Sequence, residues 1–430
     1  MKIEKSNQII NPFGGINFVI DEIKKSGILD LVDNQLGKRA NQAEYTYSDI
    51  FLNLWSVFFC GGDCAEDLND HLKEPLKQIP QMKVANSDTV LRVLKGLKTG
   101  KEKIVSDKGN TYEINKNDKL NELNISILKL LNILKANNFY DFDYDNEVLA
   151  TEKYDTKKTY KMYNGYFPGM GTIGGIPVYF ENRDGNMHVK TNQDEVLERC
   201  FLMLKNKGIY INRGRFDAGS YARDIVEVLE EYCKVFYVRA NHCTSLTSAL
   251  LKHKNWEKVE INNINYEVCS IDYQPFKYEK NEEKKTYRLV VMRRKTDNLQ
   301  VDMFTADNME YRSILTNDRK STEKEVIAYY NQRGTEEKTI DVLNNDFGWA
   351  KMPFSFMEEN TVFLMVMMIC MNIYKWIIGK FSGVYSGLKK NFRLKKFIFR
   401  FITVPVKWIK RGGQMILKIF SNKTYEVLQT

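Results

Sequence analysis

At residue 139 the hydrophobic period of the chain switches from helical to alternating, and this switch limits the fold more than any other feature. Before it, apolar residues recur at three- and four-residue spacing. Gly15 to Leu36 carries Phe18, Val19, Ile23, Ile28, Leu31 and Val32. Ser48 can cap a helix holding Ile50, Phe51, Leu54, Val57 and Phe58, which stops at Gly61-Gly62. Ser87-Asp88 opens another, with Arg92, Lys95 and Lys98 outside, and a long helix spans 118–136. No sharp helix-turn-helix pattern stands out, so a DNA-end-binding module and a plain helical subdomain both fit. After the switch, Phe139-Tyr-Asp-Phe-Asp-Tyr-Asp145 predicts a strand with aromatics on one face and Asp141, Asp143 and Asp145 on the other.

The order that follows is mixed. Ile176 to Glu181 and Met187 to Lys190 flank Arg183-Asp184-Gly185-Asn186, a hairpin signal. A helix at 193–207, a strand from Ile209 to Phe216 ending in Asp217, and a helix at 221–232 come next. Strand-like runs dominate from Val235 to Thr316, helices resume at 321–345, and an apolar helix at 355–378 precedes a basic tail. This is an α/β order, compatible with an RNase H-like sheet and not specific to one.

Charge is unevenly placed. The chain has 64 Lys and Arg against 55 Asp and Glu, a net of +9. Twelve of those bases and no acid lie between Gly379 and Lys423, which leaves 52 against 55 elsewhere. The surplus therefore belongs to the C-terminal segment, whose partner could be a polyanion, water or, given its interleaved Phe residues and Trp408, a membrane surface. The apolar run Val362–Met371 is too short to span a bilayer and reads as a buried helix. The N-terminus lacks the apolar stretch of a secretory signal. Seven scattered cysteines point to free thiols in a reducing cytoplasm, and no His/Cys set completes a zinc site around Cys60 and Cys64. His71, His188, His242 and His253 show no ligand spacing, and His188 reads as structural.

One segment concentrates functional side chains: Tyr329-Tyr-Asn-Gln-Arg333-Gly-Thr-Glu336-Glu337, running on to Asn344. On one continuous helix, positions 330, 333, 337 and 344 fall within an arc of about 60°. A Tyr, an Arg, a Glu and an Asn then share a stripe suited to a charged ligand. Glu336 lies about 100° away, so Glu337 is the carboxylate of that stripe.

The spacing Tyr-x2-Arg-x3-Glu-x6 closely resembles the YREK signature of bacterial insertion-sequence transposases of the DDE class. Upstream, Phe142-Asp-Tyr-Asp145-Asn with Thr151-Glu-Lys, Thr159-Tyr-Lys and Gly165-Tyr-Phe-Pro168 resembles the family's first-aspartate block. Asn182-Arg-Asp-Gly-Asn186 and Arg215-Phe-Asp217-Ala-Gly-Ser-Tyr221 resemble its second. The match covers residues 140–350.

The resemblance implies an RNase H-like catalytic core with a β-rich insertion, between a helical N-terminal region and a helical, basic C-terminal region. Its boundaries are 1–136 (helical, candidate end binding), 137–234 (first part of the core), 235–316 (insertion), 317–350 (core completion) and 351–430 (basic tail). It also implies Asp145, Asp217 and Glu337 as catalytic, metal-holding acids, with Asp145 preferred to Asp143 by alignment. Tyr330 and Arg333 would sit near the DNA, and Asn344 stands where the family has Lys. The implied cofactor is Mg²⁺, or Mn²⁺. Implied partners are double-stranded DNA, as inverted-repeat ends and target, and a second copy of the chain on DNA. The implied setting is the bacterial cytoplasm at the nucleoid, without a membrane. Three acids from separate elements suit a pair of hard cations, which phosphodiester exchange uses at both the attacking and the leaving oxygen. A metal-dependent nuclease on the same fold and a domesticated, non-catalytic DNA-binding protein are the competing readings.

Overall fold

The computed structural model describes residues 1–4, 8–241, 243–261, 263–277, 284–295, 309–423 and 425–428, without the side chains of 244, 245, 249, 334–337 and 426. The N-terminal apolar stretch forms two helices, Ile16–Lys25 and Ile28–Leu36, separated at Gly27. The next helix, Tyr47–Phe59, is capped two residues earlier than Ser48. Thr46 accepts from the Asp49 N–H, and the Asp49 side chain accepts from the Thr46 N–H. That reciprocal pair contributes about 1 kcal/mol. Ser48 instead donates its hydroxyl to Asp33 at 2.7 Å and ties this helix to the one before. Lys95 and Lys98, at the end of helix Ser87–Lys95, both reach Glu359, at 3.0 and 3.1 Å.

Eleven strands make one sheet: β1 Glu102–Val105, β2 Thr111–Lys116, β3 Asn138–Asn146, β4 Gly169–Ile173, β5 Ile176–Arg183, β6 Ile209–Phe216, β7 Cys233–Arg239, β8 Glu257–Ile261, β9 Ile264–Tyr273, β10 Tyr287–Lys295 and β11 Met309–Thr316. Their order is β1-β2-β5-β4-β3-β6-β7-β11-β10-β9-β8. The centre, β5-β4-β3-β6-β7, has β4 antiparallel to both neighbours and β3, β6 and β7 parallel. Helices Gln193–Asn206 and Arg223–Tyr232 supply the crossovers that parallel strands require. This is the RNase H-like core.

Several segments differ from the sequence expectation. Residues 102–116, inside the stretch expected to be helical, form β1 and β2 and lengthen the sheet. The β4–β5 hairpin turns at Gly174-Gly175, with φ of 58° and 75°, not at Arg183–Asn186. A two-residue turn of this hand needs positive φ at both positions, which glycine supplies without steric cost. Asp184 is instead buried at the end of β5, where its carboxylate accepts the Glu113 N–H at 2.9 Å. Val235, the expected start of an insertion, lies in β7, the fifth core strand, and β8–β11 prolong the same sheet. The basic tail is helical only in part. After the short helical turns at 394–402, Val406–Arg411 and Gln414–Ile419 pair as an antiparallel hairpin.

The apolar segment near 360 is a 28-residue helix, Met357–Val384. It is long and apolar enough to cross a membrane, yet 83% of its most apolar window is buried inside the protein. Trp55 and Trp349 donate their indole N–H groups to its Val366 and Leu364 carbonyls, at 3.1 and 2.9 Å. It packs on β5, on helix Asp118–Leu130 and on helix Tyr47–Phe59, so one hydrophobic core joins the N-terminal helices, the sheet and the tail. All seven cysteines are free thiols.

Candidate active site

The aromatic residues of β3, Phe142 and Tyr144, are buried against the crossover helices, and its aspartates line the other face. β3 and β6 run parallel in register, so Asp141 lies opposite Arg213 and Asp143 opposite Arg215. Each rung is an ion pair. Arg213 Nε donates to both Asp141 oxygens at 3.0 and 3.1 Å, and Arg215 donates two 2.6 Å bonds to Asp143. Arg215 also donates to the Tyr329 carbonyl at 2.9 Å, and both arginines lie over the Tyr329 ring, at 3.9 and 4.6 Å from its centroid. Asp143 is thus consumed by structure.

The next rung breaks the pattern. Two residues on from Asp143 and Arg215 come two acids, Asp145 near the end of β3 and Asp217 just past the end of β6, near enough for the charge of Asp217 to act on Asp145. Two carboxylates sharing one site disfavour each other's charged form. Burial pushes the Asp145 carboxyl up to about 6; Arg333 pulls it down, and the charge of Asp217 adds to the rise. From here the chain leaves β3 toward β4 on one side of the sheet and β6 toward β7 on the other. Open α/β sheets place ligands at such a point.

Arg333 closes one side. Its guanidinium lies 3.1 Å from the Asp145 carboxylate and donates to the Tyr144 carbonyl at 3.3 Å. Tyr330 donates its hydroxyl to the Phe216 carbonyl at 3.0 Å, next to Asp217. Burial raises that phenol to about 12. The structure therefore brings Asp145, Asp217, Tyr330 and Arg333 together. It does so without the single continuous helix expected from the sequence. Helix Glu323–Tyr330 ends, a tight 3-10 turn covers Asn331–Gly334, and a second helix runs Thr335–Asp346. Glu337 lies in the first turn of that second helix, four residues after Arg333, and its side chain is outside the described residues, as is that of Glu336. The helix packs on β3, and Thr339 donates to the Gly175 carbonyl at 3.3 Å. Asn344 is half-buried, two turns past Glu337.

A cleft of about 460 Å³ opens at Asp217 and is lined also by Asn146, Tyr160, Phe167, His188 and Gly219. His188, expected to be structural, is on this wall, and burial lowers its pKa, with Lys190 and Lys108 adding to the effect. His242 is outside the described residues. Lys190, which no sequence motif marks, donates to the Tyr221 carbonyl at 2.6 Å; burial lowers its pKa while Asp217 raises it. Among the described residues one compact set of metal-capable donors stands apart from this cleft, Asp63, Cys64 and Asp67. Asp67 there accepts the N–H groups of Asp63 and Cys64, as a loop cap does.

The family model for transposase DDE domain group 1 matches residues 14–428. The chain belongs to that family. No curated protein matches it. Among solved structures, a cryo-EM structure of the piggyBac transposase synaptic complex with hairpin DNA is similar at 12% identity and a TM-score of 0.44, over 91% of this chain and 79% of that one. For a member of the DDE family, the signal that would have found the arginine partners is the matched alternation Asp-x-Asp-x-Asp on one strand and Arg-x-Arg-x-Asp on the other.

Proposed function

We propose that this transposase binds the inverted-repeat ends of its own element, cuts them and joins them to target DNA, with Asp145, Asp217 and Glu337 holding the metals. The observation that carries the reading is the broken ladder. Two acid–base rungs lead to two acids, Asp145 and Asp217, at the strand ends, where Arg333 pairs with Asp145 and a metal cation would offset the negative charge that remains. The donor set fits hard divalent ions, which prefer carboxylate oxygens. Mg²⁺ or Mn²⁺ bound there would activate a water or a DNA 3′-OH and stabilise the departing oxygen.

The protein's own groups divide the remaining work. Arg333 has the planar fork that matches a phosphate and stands beside Asp145, so it is placed to orient the scissile group. Tyr330 fixes the end of β6 through the Phe216 carbonyl and thereby positions Asp217. Asn344 is the proposed phosphate contact further along the helix. The exposed Lys389, Lys390, Lys395, Lys396, Arg400, Lys410, Arg411 and Lys418 offer charge to the DNA backbone, whereas Arg393 is engaged by Asp341 and Asp346. Two element ends require two such sites, so the acting unit on DNA is proposed to be a homodimer.

The test is incubation with end DNA and a target plasmid, with Mg²⁺ and with a chelator. Joined products that vanish in Asp145→Asn and Asp217→Asn, with end binding retained, are expected. Cleavage without joining would favour a nuclease, and full activity in either variant would overturn the site. Lys389→Gln and Lys390→Gln combined with Lys395→Gln and Lys396→Gln should flatten the salt dependence of binding, by about 0.9 in log–log slope for each phosphate no longer neutralised.

A further inference from the structure

Residues 149–166 follow the first acid and fold back as a small three-stranded sheet, Leu149–Ala150, Lys157–Lys158 and Asn164–Tyr166, beside the cleft. Their exposed surface is unusual. Tyr154, Tyr160 and Met162 are 84%, 69% and 70% exposed, interleaved with the exposed Lys157, Lys158 and Lys161. The acids of the segment are engaged. Asp155 accepts from Tyr166, Lys101 and the Met357 N–H, and Glu152 accepts from Asn164. Lys161 also pairs with Glu147 at 3.2 Å, so Lys157 and Lys158 give the outward face most of its positive charge, beside the exposed Tyr154 and Tyr160.

Tyr160 joins this face to the chemistry, because its ring lines the same cleft as Asp217. Phe167 meets the Tyr160 ring edge-on at 5.8 Å and holds it upright, while Lys161 sits 5.8 Å from its centroid. A tight turn presents the ring: Met162 N–H bonds the Thr159 carbonyl, and Thr159 N–H bonds the Tyr163 carbonyl. An exposed ring on a lysine-bearing rim, at the mouth of the cleft that holds Asp217, is the combination that binds single-stranded nucleic acid, by stacking a base and neutralising its phosphates. A base stacked within a duplex offers no free face to such a ring.

We propose that Tyr160 is a stacking platform for an unpaired nucleotide next to the scissile phosphate, with Lys157 and Lys158 contacting that strand's phosphates. The inference rests on the transposase reading above, and it concerns binding rather than cleavage.

The test uses the full chain in EDTA, so that no metal-dependent step enters. The probe is a twelve-nucleotide oligo(dT) carrying one 2-aminopurine, compared with a fully paired twelve-base-pair duplex. Stacking should quench the 2-aminopurine on binding. Tyr160→Ala should weaken oligo(dT) binding about tenfold and abolish the quenching, as loss of one base–aromatic stack does. Tyr160→Phe should retain both, and neither change should alter duplex binding. Lys157→Gln with Lys158→Gln should reduce the single-strand salt slope by about 1.4, at about 0.7 per phosphate. Unchanged quenching in Tyr160→Ala, or equal losses for oligo(dT) and duplex, would overturn the platform. Failure of the metal-dependent assays would leave this result untouched, so the two readings fail separately.

Discussion

Arg215 grips Asp143 with two 2.6 Å hydrogen bonds across adjoining parallel strands, and both side chains are buried. Breaking a buried pair from one side leaves an uncompensated charge, which costs about 3–5 kcal/mol. Asp143→Ala should therefore lower unfolding free energy by that amount, measured by urea denaturation. A loss under about 1 kcal/mol, together with loss of metal-dependent cleavage, would instead make Asp143 the metal ligand.

Asp145 should behave in the opposite way. Its carboxyl is raised to about 6, mainly by burial. The folded state therefore holds that proton more tightly than the unfolded chain. The stability this gives is full below about pH 4 and is lost as pH rises through 6. At pH 7.5 the wild type carries the cost of a buried charge, on the order of 1–3 kcal/mol. Asp145→Asn should raise the melting temperature in EDTA at pH 7.5, with the gain vanishing near pH 4. Added Mg²⁺ should stabilise the wild type more than the variant. A variant less stable than wild type at pH 7.5 would show that the Arg333 pair outweighs the burial.

Much of this was legible because local pattern and tertiary role agree. The alternation from Phe139 to Asp145 needs no partner to read, and β3 follows it. Asp217 was legible as the residue that ends a strand. The pairing of Asp143 with Arg215 was not, because register between strands 72 positions apart is fixed by packing. The Asp184-Gly185 dipeptide imitates a hairpin turn, while the turn itself lies at Gly174-Gly175. Residues 102–116 are rich in charge because β1 is the edge strand, where exposed charge blocks further pairing, and β2 lies beside it. The lysines of the tail suggest helix, although Gly412-Gly413 between two alternating runs marks the hairpin that forms. The break at Asn331–Gly334 escapes a single-helix wheel, yet Tyr330 and Arg333 still arrive at the two strand ends.

Lys375 gives a stability prediction away from the acids. Its ammonium donates to the Gly175 carbonyl, and burial lowers its pKa to about 8. Between about pH 8 and 10.4 the unfolded chain binds more protons than the folded one, so stability rises with pH across that window. Below pH 8 the cost is constant. Lys375→Met should stabilise the protein by about 1–2 kcal/mol at pH 7, with a smaller gain at pH 9.5. The Gly175 carbonyl keeps Thr339 as a donor. Thermal melts at the two pH values decide it; a gain that does not shrink would place the cause outside the ammonium.

Helix Thr335–Asp346 is continuous, so position 337 shares its stripe with Asn344, while position 336 shares one with the buried Ile340 and Leu343. A residue on the core stripe serves packing, and a residue on the polar stripe is available to a ligand. Glu337→Gln should abolish Mg²⁺-dependent cleavage, by at least about a hundredfold if the carboxylate holds metal, and leave end-DNA binding within a few-fold. Glu336→Gln should keep most of the cleavage activity, since it leaves the polar stripe intact. Both variants preserve side-chain volume, so a fall in melting temperature would separate a folding defect from a missing ligand. Cleavage lost in Glu336→Gln and kept in Glu337→Gln would move the third acid by one position, and with it the face of the helix that meets Asp145 and Asp217.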